Sequence, residues 1–132
     1  LTHTEPIIAV ENVKTSLKWY TTLLDCKHTH TQNDVFDQLM DTDGRILLCL
    51  HRWGDHEHPS LLSPLEGQVG NGLLLYFRID QFQKAWDRAQ TLDSVIAAPP
   101  HYNPYAQHHE FTLRDPDGYY ITVCSQRDKK TD

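Results

Sequence analysis

The chain lacks any apolar run approaching the roughly 20 residues that a membrane-spanning helix needs, and its mean hydropathy is −0.58. It is also poor in clustered basic charge: 12 Lys and Arg stand against 18 Asp and Glu, for a formal charge of −6. That balance argues against nucleic acid as a partner, since a phosphate backbone demands grouped Lys and Arg, and the one basic pair is Lys129-Lys130. Cysteine is sparse and odd in number, Cys26, Cys49 and Cys124. Two of them sit inside apolar runs, which reads as reduced buried thiols rather than a disulfide framework. With no basic-then-apolar leader visible, a cytoplasmic location is the expectation. No Gly-x-Ser-x-Gly elbow and no phosphate-binding glycine loop occurs, which removes those routes to nucleophilic and phosphoryl chemistry.

What is present is one pattern written twice. The first copy runs Pro6 to Val10, then Asn12 to Leu24, then Asp41-Thr42-Asp43-Gly44 into Ile46 to Leu50. The second runs Leu73 to Ile79, then Asp80 to Leu92, then Asp115-Pro116-Asp117-Gly118 into Tyr119 to Cys124. Val13, Leu17, Tyr20 and Leu24 make a helical stripe behind an Asn12 cap. Phe82, Ala85, Trp86, Ala89 and Leu92 do the same behind Asp80, with Gln83 completing a capping box. Asp43-Gly44 and Asp117-Gly118 tolerate positive φ and predict hairpins. Each copy therefore reads β-α-β-β-β, an α+β fold, with a right-handed crossover if its first two strands lie parallel. One domain covers residues 1–132, divided into module 1 at about 1–58, a linker at about 59–71 and module 2 at about 72–126. Residues 97–109 read as a long surface loop.

The order of these motifs resembles the vicinal oxygen chelate superfamily, the glyoxalase, bleomycin-resistance and extradiol-dioxygenase group. The residues that carry the likeness are Pro6-Ile7-Ile8-Ala9-Val10-Glu11-Asn12-Val13, Ser16-Leu17-Lys18-Trp19-Tyr20 and Leu24, and then Glu110 through Val123 around Asp115-Pro116-Asp117-Gly118. The resemblance implies two βαβββ modules forming a cup-shaped half-barrel, commonly paired in a homodimer. It also implies metal-ligand positions on the first and last strand of each module. Carried over, these fall on Glu5, Leu48, Leu74 and Thr122, of which Glu5 alone has a metal-binding side chain. A catalytic zinc, nickel or iron site needs about three protein ligands, so the set argues against metal enzymology and toward the metal-independent, bleomycin-resistance-like branch, with no cofactor.

The histidines offer a second metal hypothesis through His28 and His30, His56-Glu57-His58 and His108-His109-Glu110, none at a strong zinc spacing. Solvated polar segments are the plainer reading. An aromatic-lined pocket is the alternative site. If Leu74 points inward, alternation sends Tyr76 and Arg78 with it, and Thr122 brings Tyr120 and Cys124. His51 and Trp53 follow the last strand of the first copy, while Tyr102, Asn103 and Tyr105 lie on the 97–109 segment. Tyr76 and Tyr120 equally suit core filling, and Arg78 equally suits a structural pair with Asp80 or Asp115. Trp19 and Trp86 suit core or dimer packing, and Arg114 suits orienting the turn carboxylates.

Two functional classes follow. The first is a small-molecule binding protein that sequesters a planar or amphipathic organic ligand, with Tyr76, Tyr120 and Trp53 as walls and Arg78 or His51 as anchors. The second is a divalent-metal-dependent glyoxalase, dioxygenase or lyase using Glu5 and noncanonical histidines. An interaction module filled by its own side chains is a third, weaker possibility.

Overall fold

The computed structural model describes residues 3–29, 34–55, 61, 63, 70 and 72–129. His30, His56, Glu57 and His58 lie outside the described residues. The chain divides into two compact units, Leu1–Val69 and Gly70–Asp132.

The first unit contains β1 (Ile7–Val10), α1 (Val13–Leu24), β2 (Lys27–His28), β3 (Phe36–Met40) and β4 (Ile46–Arg52). Its sheet has the order β1-β4-β3-β2, so β1 lies parallel to β4, with Ile7 opposite Cys49. The condition of parallel first and second strands does not arise, since β1 and β2 occupy opposite edges of the sheet. The Asn12 side chain accepts the Thr15 N–H at 3.0 Å and starts α1. The helix ends at Asp25, which adopts the left-handed conformation at φ 53°. Val13, Ser16, Trp19, Tyr20, Leu23 and Leu24 are buried, a wider stripe than the i, i+4, i+7 reading because Trp19 and Leu23 join it. Ile8, Val10, Leu39, Leu48 and Leu50 share one face of the sheet and are almost fully buried. Burial of each such side chain contributes about 1.5–3 kcal/mol.

The second unit contains β5 (Leu74–Arg78), α2 (Phe82–Gln90), β6 (Ile96–Asn103), β7 (His108–Arg114) and β8 (Tyr120–Cys124). Its sheet repeats the plan as β5-β8-β7-β6, with β5 parallel to β8. Phe111, Leu113, Ile121 and Val123 are fully buried. The Phe82 and Trp86 rings of α2 lie 5.5 and 5.1 Å from Phe111, which identifies the helix-covered face.

Two expectations fail here. Residues 97–109 are no surface loop: most of them form β6 and the start of β7, paired as a hairpin with Asn103 opposite His108. Pro99 and Pro100 fall on an edge strand, in the stretch where its pairing shifts register between Ala98 and His101, the setting in which a strand tolerates proline. Nor does Asp80 cap α2. The N-cap residue is Gln81, without a side-chain cap, while Asp80 accepts from Gln126 Nε2 at 3.0 Å and Gln83 donates to Asp87.

The repeated turns behave as expected. Gly44 and Gly118 have φ of +86° and +93°, and in each turn the glycine N–H donates to the carbonyl of the first aspartate. A difference follows directly. In the first module a β-bulge between Leu39 and Met40 pairs Leu39 with Leu48 and Met40 with Ile46, leaving Leu47 as the extra residue. The second module pairs Leu113 with Ile121 and Arg114 with Tyr120 without interruption.

Candidate functional site

Strand alternation and the observed register place three rungs on the face of the second sheet that α2 does not cover. Leu74 stands beside Tyr120, Tyr76 beside Thr122, and Arg78 beside Cys124. Across β7 the rungs continue to Arg114, Thr112 and Glu110, and Glu110 is followed by His101 on β6. The expected company of Leu74, Tyr76, Arg78, Tyr120, Thr122 and Cys124 on one face is what the register delivers.

Beneath the tyrosines lies a polar network. The Glu110 carboxylate accepts the Asn103 amide at 2.6 Å, His108 Nε2 at 3.0 Å and the Tyr76 hydroxyl at 3.3 Å. His108 is 2 % exposed and Glu110 6 %. The Arg78 guanidinium reaches His108 Nδ1 at 3.2 Å and also donates to the Ser125 carbonyl. An arginine has donors only, so Nδ1 must carry the lone pair and Nε2 the proton. The Arg78 contact thus assigns His108 Nε2–H as the donor to Glu110. Burial pushes the Glu110 carboxyl up, but the hydrogen bonds from Asn103 and His108 outweigh it and hold the group below its ordinary value. The Tyr76 phenol is raised, first by burial and then by the charge and hydrogen bond of Glu110. Among the described residues no buried side-chain nitrogen or oxygen lacks a partner, so the network satisfies the cost of taking these groups out of water.

Above this layer the surface is aromatic and aliphatic: Tyr76 is 49 % exposed, Leu74 48 % and Tyr120 36 %. The Arg114 guanidinium carbon lies 4.3 Å from the centre of the Tyr120 ring, and Arg114 donates to the Tyr120 hydroxyl. Arg114 thus stacks on a tyrosine rather than orienting the turn; the Asp115 carboxylate accepts the Asp117 and Tyr119 N–H groups instead. Arg78 pairs with neither Asp80 nor Asp115 but with His108 and Ser125.

The remaining sequence-selected residues are not on this sheet face. Tyr102 pairs with His109 on the opposite, helix-side face, its ring 5.1 Å from that imidazole and its hydroxyl 2.6 Å from Asp128. Tyr105 is 98 % exposed at the tip of the β6–β7 turn. His51 and Trp53 belong to the first unit. His51 is buried, with Nδ1 donating to the Arg52 carbonyl at 2.8 Å and its ring edge-on to Phe36. Trp53 is partly buried in the turn after β4. The sequence places Asn103 on the segment over the pocket and His108 and Glu110 in a local polar cluster; what it misses is that the three join in one hydrogen-bonded network. Their common face becomes visible once β6 and β7 are read as a hairpin, because the i, i+2 spacing of His108 and Glu110 is then a strand signal.

The metal-ligand positions can be tested against this frame. The carried-over first-strand positions Glu5 and Leu74 stand two residues before Ile7 and Tyr76, which pair with Cys49 and Thr122. The bulge thereby moves the first module's last-strand position from Leu48 to Cys49. Leu74 offers no donor atom, and the Thr122 hydroxyl is engaged by Thr112 at 2.7 Å. The Cys49 thiol is raised by burial, against a hydrogen bond from Gln38. Among the described residues no group of three or more His, Cys, Asp or Glu is arranged to hold a metal ion. These side chains do not fit the divalent ion that the superfamily's metal enzymes carry.

Two βαβββ modules in tandem, each with its first strand parallel to its last, define the paired-module class of α+β proteins. A model of the Glyoxalase/Bleomycin resistance protein/Dioxygenase superfamily matches residues 1–123, and the chain belongs to that superfamily. Comparison with curated proteins gave no match. Among solved structures, TioX from Micromonospora sp. ML1 aligns with a TM-score of 0.72 at 16% identity, over 95% of this chain and 98% of that one. A glyoxalase/bleomycin resistance protein/dioxygenase family enzyme from Burkholderia phytofirmans PsJN gives 0.70 at 17% identity, over 90% and 94%. A possible glyoxalase from Bacillus cereus gives 0.65 at 17% identity, over 93% and 97%. These likenesses concern the fold. No helix among the described residues is long and apolar enough to cross a membrane.

Proposed function

We propose that the protein binds a planar or amphipathic small organic molecule without a metal ion, as a bleomycin-resistance-like member of its superfamily, and sequesters it by burial and stacking rather than by turnover. The observation that carries this reading is the pair of half-exposed tyrosines, Tyr76 and Tyr120, on a floor of fully hydrogen-bonded polar side chains. Aromatic faces over a few fixed polar groups are the usual composition of an organic-ligand site. His51 and Trp53, on the first module, and Tyr102 and Tyr105, off this face, carry no part of the proposal. We further propose a cytoplasmic homodimer. The three cysteines are free, which suits a reducing compartment.

The test is a thermal-shift screen of planar compounds in excess EDTA, since a ligand of the native state raises Tm in a concentration-dependent way. Hits should lose about tenfold in affinity with Tyr76→Ala and with Tyr120→Ala, in line with the loss of an aromatic contact of about 1–1.5 kcal/mol. Binding that requires a divalent ion, or that ignores both substitutions, would overturn the proposal.

A further inference from the structure

The two tyrosines differ in which way their hydroxyl protons are committed, and that difference gives the site a polarity. The Tyr76 O–H donates to Glu110. Glu110 can only accept, because Asn103 is an amide donor and His108 is fixed as a donor by Arg78. What Tyr76 presents outward is therefore an oxygen with lone pairs, backed by a carboxylate. Tyr120 has the reverse arrangement. Its oxygen receives an N–H from Arg114, which leaves its own O–H to donate outward, next to an exposed guanidinium whose five N–H groups make it an anion partner. The acceptor pole and the donor pole lie diagonally on adjacent strands, since Tyr76 pairs with Thr122 and Tyr120 with Leu74. With strands about 4.8 Å apart and a rise of about 3.3 Å per residue, such a diagonal spans roughly 8 Å between Cα atoms, and the half-exposed Leu74 lies beside it.

We propose, building on the binding reading above, that the ligand is a flat aromatic molecule with a hydrogen-bond-donating nitrogen at one end and a carboxylate or similar anion at the other. The nitrogen meets the Tyr76 oxygen, the anion meets Arg114 and the Tyr120 hydroxyl, and the ring lies along the diagonal against Leu74 at its side. A simple aromatic anion turned the other way would set its charge against an oxygen backed by Glu110. A simple aromatic amine would leave Arg114 without a counter-charge. The two-ended molecule satisfies both poles at once.

Three probes separate these cases: 4-aminobenzoate, benzoate and aniline, each titrated by NMR into the wild-type protein, Tyr76→Phe and Arg114→Gln. Wild type should hold 4-aminobenzoate about tenfold more tightly than either one-ended probe, the effect of one hydrogen bond to a charged or charge-backed group. Tyr76→Phe should bring 4-aminobenzoate down to the level of benzoate, and Arg114→Gln should bring it down to the level of aniline. Equal affinities for all three probes, or a preference for 4-aminobenzoate that survives both substitutions, would overturn the polarity. No binding of any probe would overturn it too. The binding reading itself is judged separately by whether screening hits respond to Tyr76→Ala and Tyr120→Ala.

Discussion

A methyl group added at Gly70 would lie 2.7 Å from Cδ1 of Tyr119. Gly70 also has a φ of +76°, so alanine there meets both a ring and an unfavourable backbone conformation. We expect Gly70→Ala to cost about 2–3 kcal/mol, the sum of left-handed strain and overpacking. Gly44 has similar φ but open space around it, and Gly44→Ala should cost only the strain, about 1 kcal/mol. Urea titration of both variants measures the difference; equal costs would show that Tyr119 moves aside freely.

The two helices should respond unequally to loss of the residue before them. Asn12→Ala removes the bond to the Thr15 N–H and should cost about 1 kcal/mol. Asp80→Ala removes no cap, because Asp80 is turned to Gln126, and should cost less than half as much. Denaturant midpoints of the two variants decide the order.

Glu110 gives the protein an acid limb. Its carboxyl is held below its ordinary value in the folded state, so the unfolded chain binds the proton first and stability rises with pH through that window. The contribution is complete above the ordinary carboxyl range, near about 4.3, and is lost as pH falls through the depressed folded value. Stability measured from pH 6 downward should therefore fall less steeply in Glu110→Gln than in wild type. Parallel acid limbs would mean that other carboxyls carry the dependence.

The thiols should be slow. Cys26 is pushed up to about 11, chiefly by burial, and burial raises Cys49 and Cys124 as well. At neutral pH little thiolate is present in the native state. Reaction with an aromatic disulfide reagent should thus be slow under native conditions and complete at once in denaturant. A thiol that reacts rapidly in the native protein would contradict the burial described for it.

How much of this was legible before the structure depended on the range of the interaction. The helices, the turns and the company of Tyr76, Arg78 and Tyr120 rest on local periodicity, which a single sequence displays. The acidic network was hidden because Asn103 meets His108 and Glu110 only if β6 pairs with β7, and Pro99-Pro100 reads as a strand breaker unless the strand is known to be an edge. The helix start at Gln81 was misread because Asp80 has two possible partners, and Gln126, 46 residues away, leaves no mark near it. Arg114 was misassigned for the same reason: its ring partner Tyr120 lies across the hairpin rather than in the turn.

The bulge at Leu39 and Met40 has a consequence for anyone who would transplant chemistry into this scaffold. Measured from their matching Asp-x-Asp-Gly turns, the halves fall out of phase by one residue once Leu47 has been passed. A histidine grafted at Leu48 by counting from the turn would be driven into the apolar layer shared with Leu39 and Val10. Grafted at Cys49, it would emerge on the same side as Ile7, two residues along from Glu5. Inherited symmetry in this protein is therefore a matter of strand pairing and not of letter count, and a designer must transpose before copying.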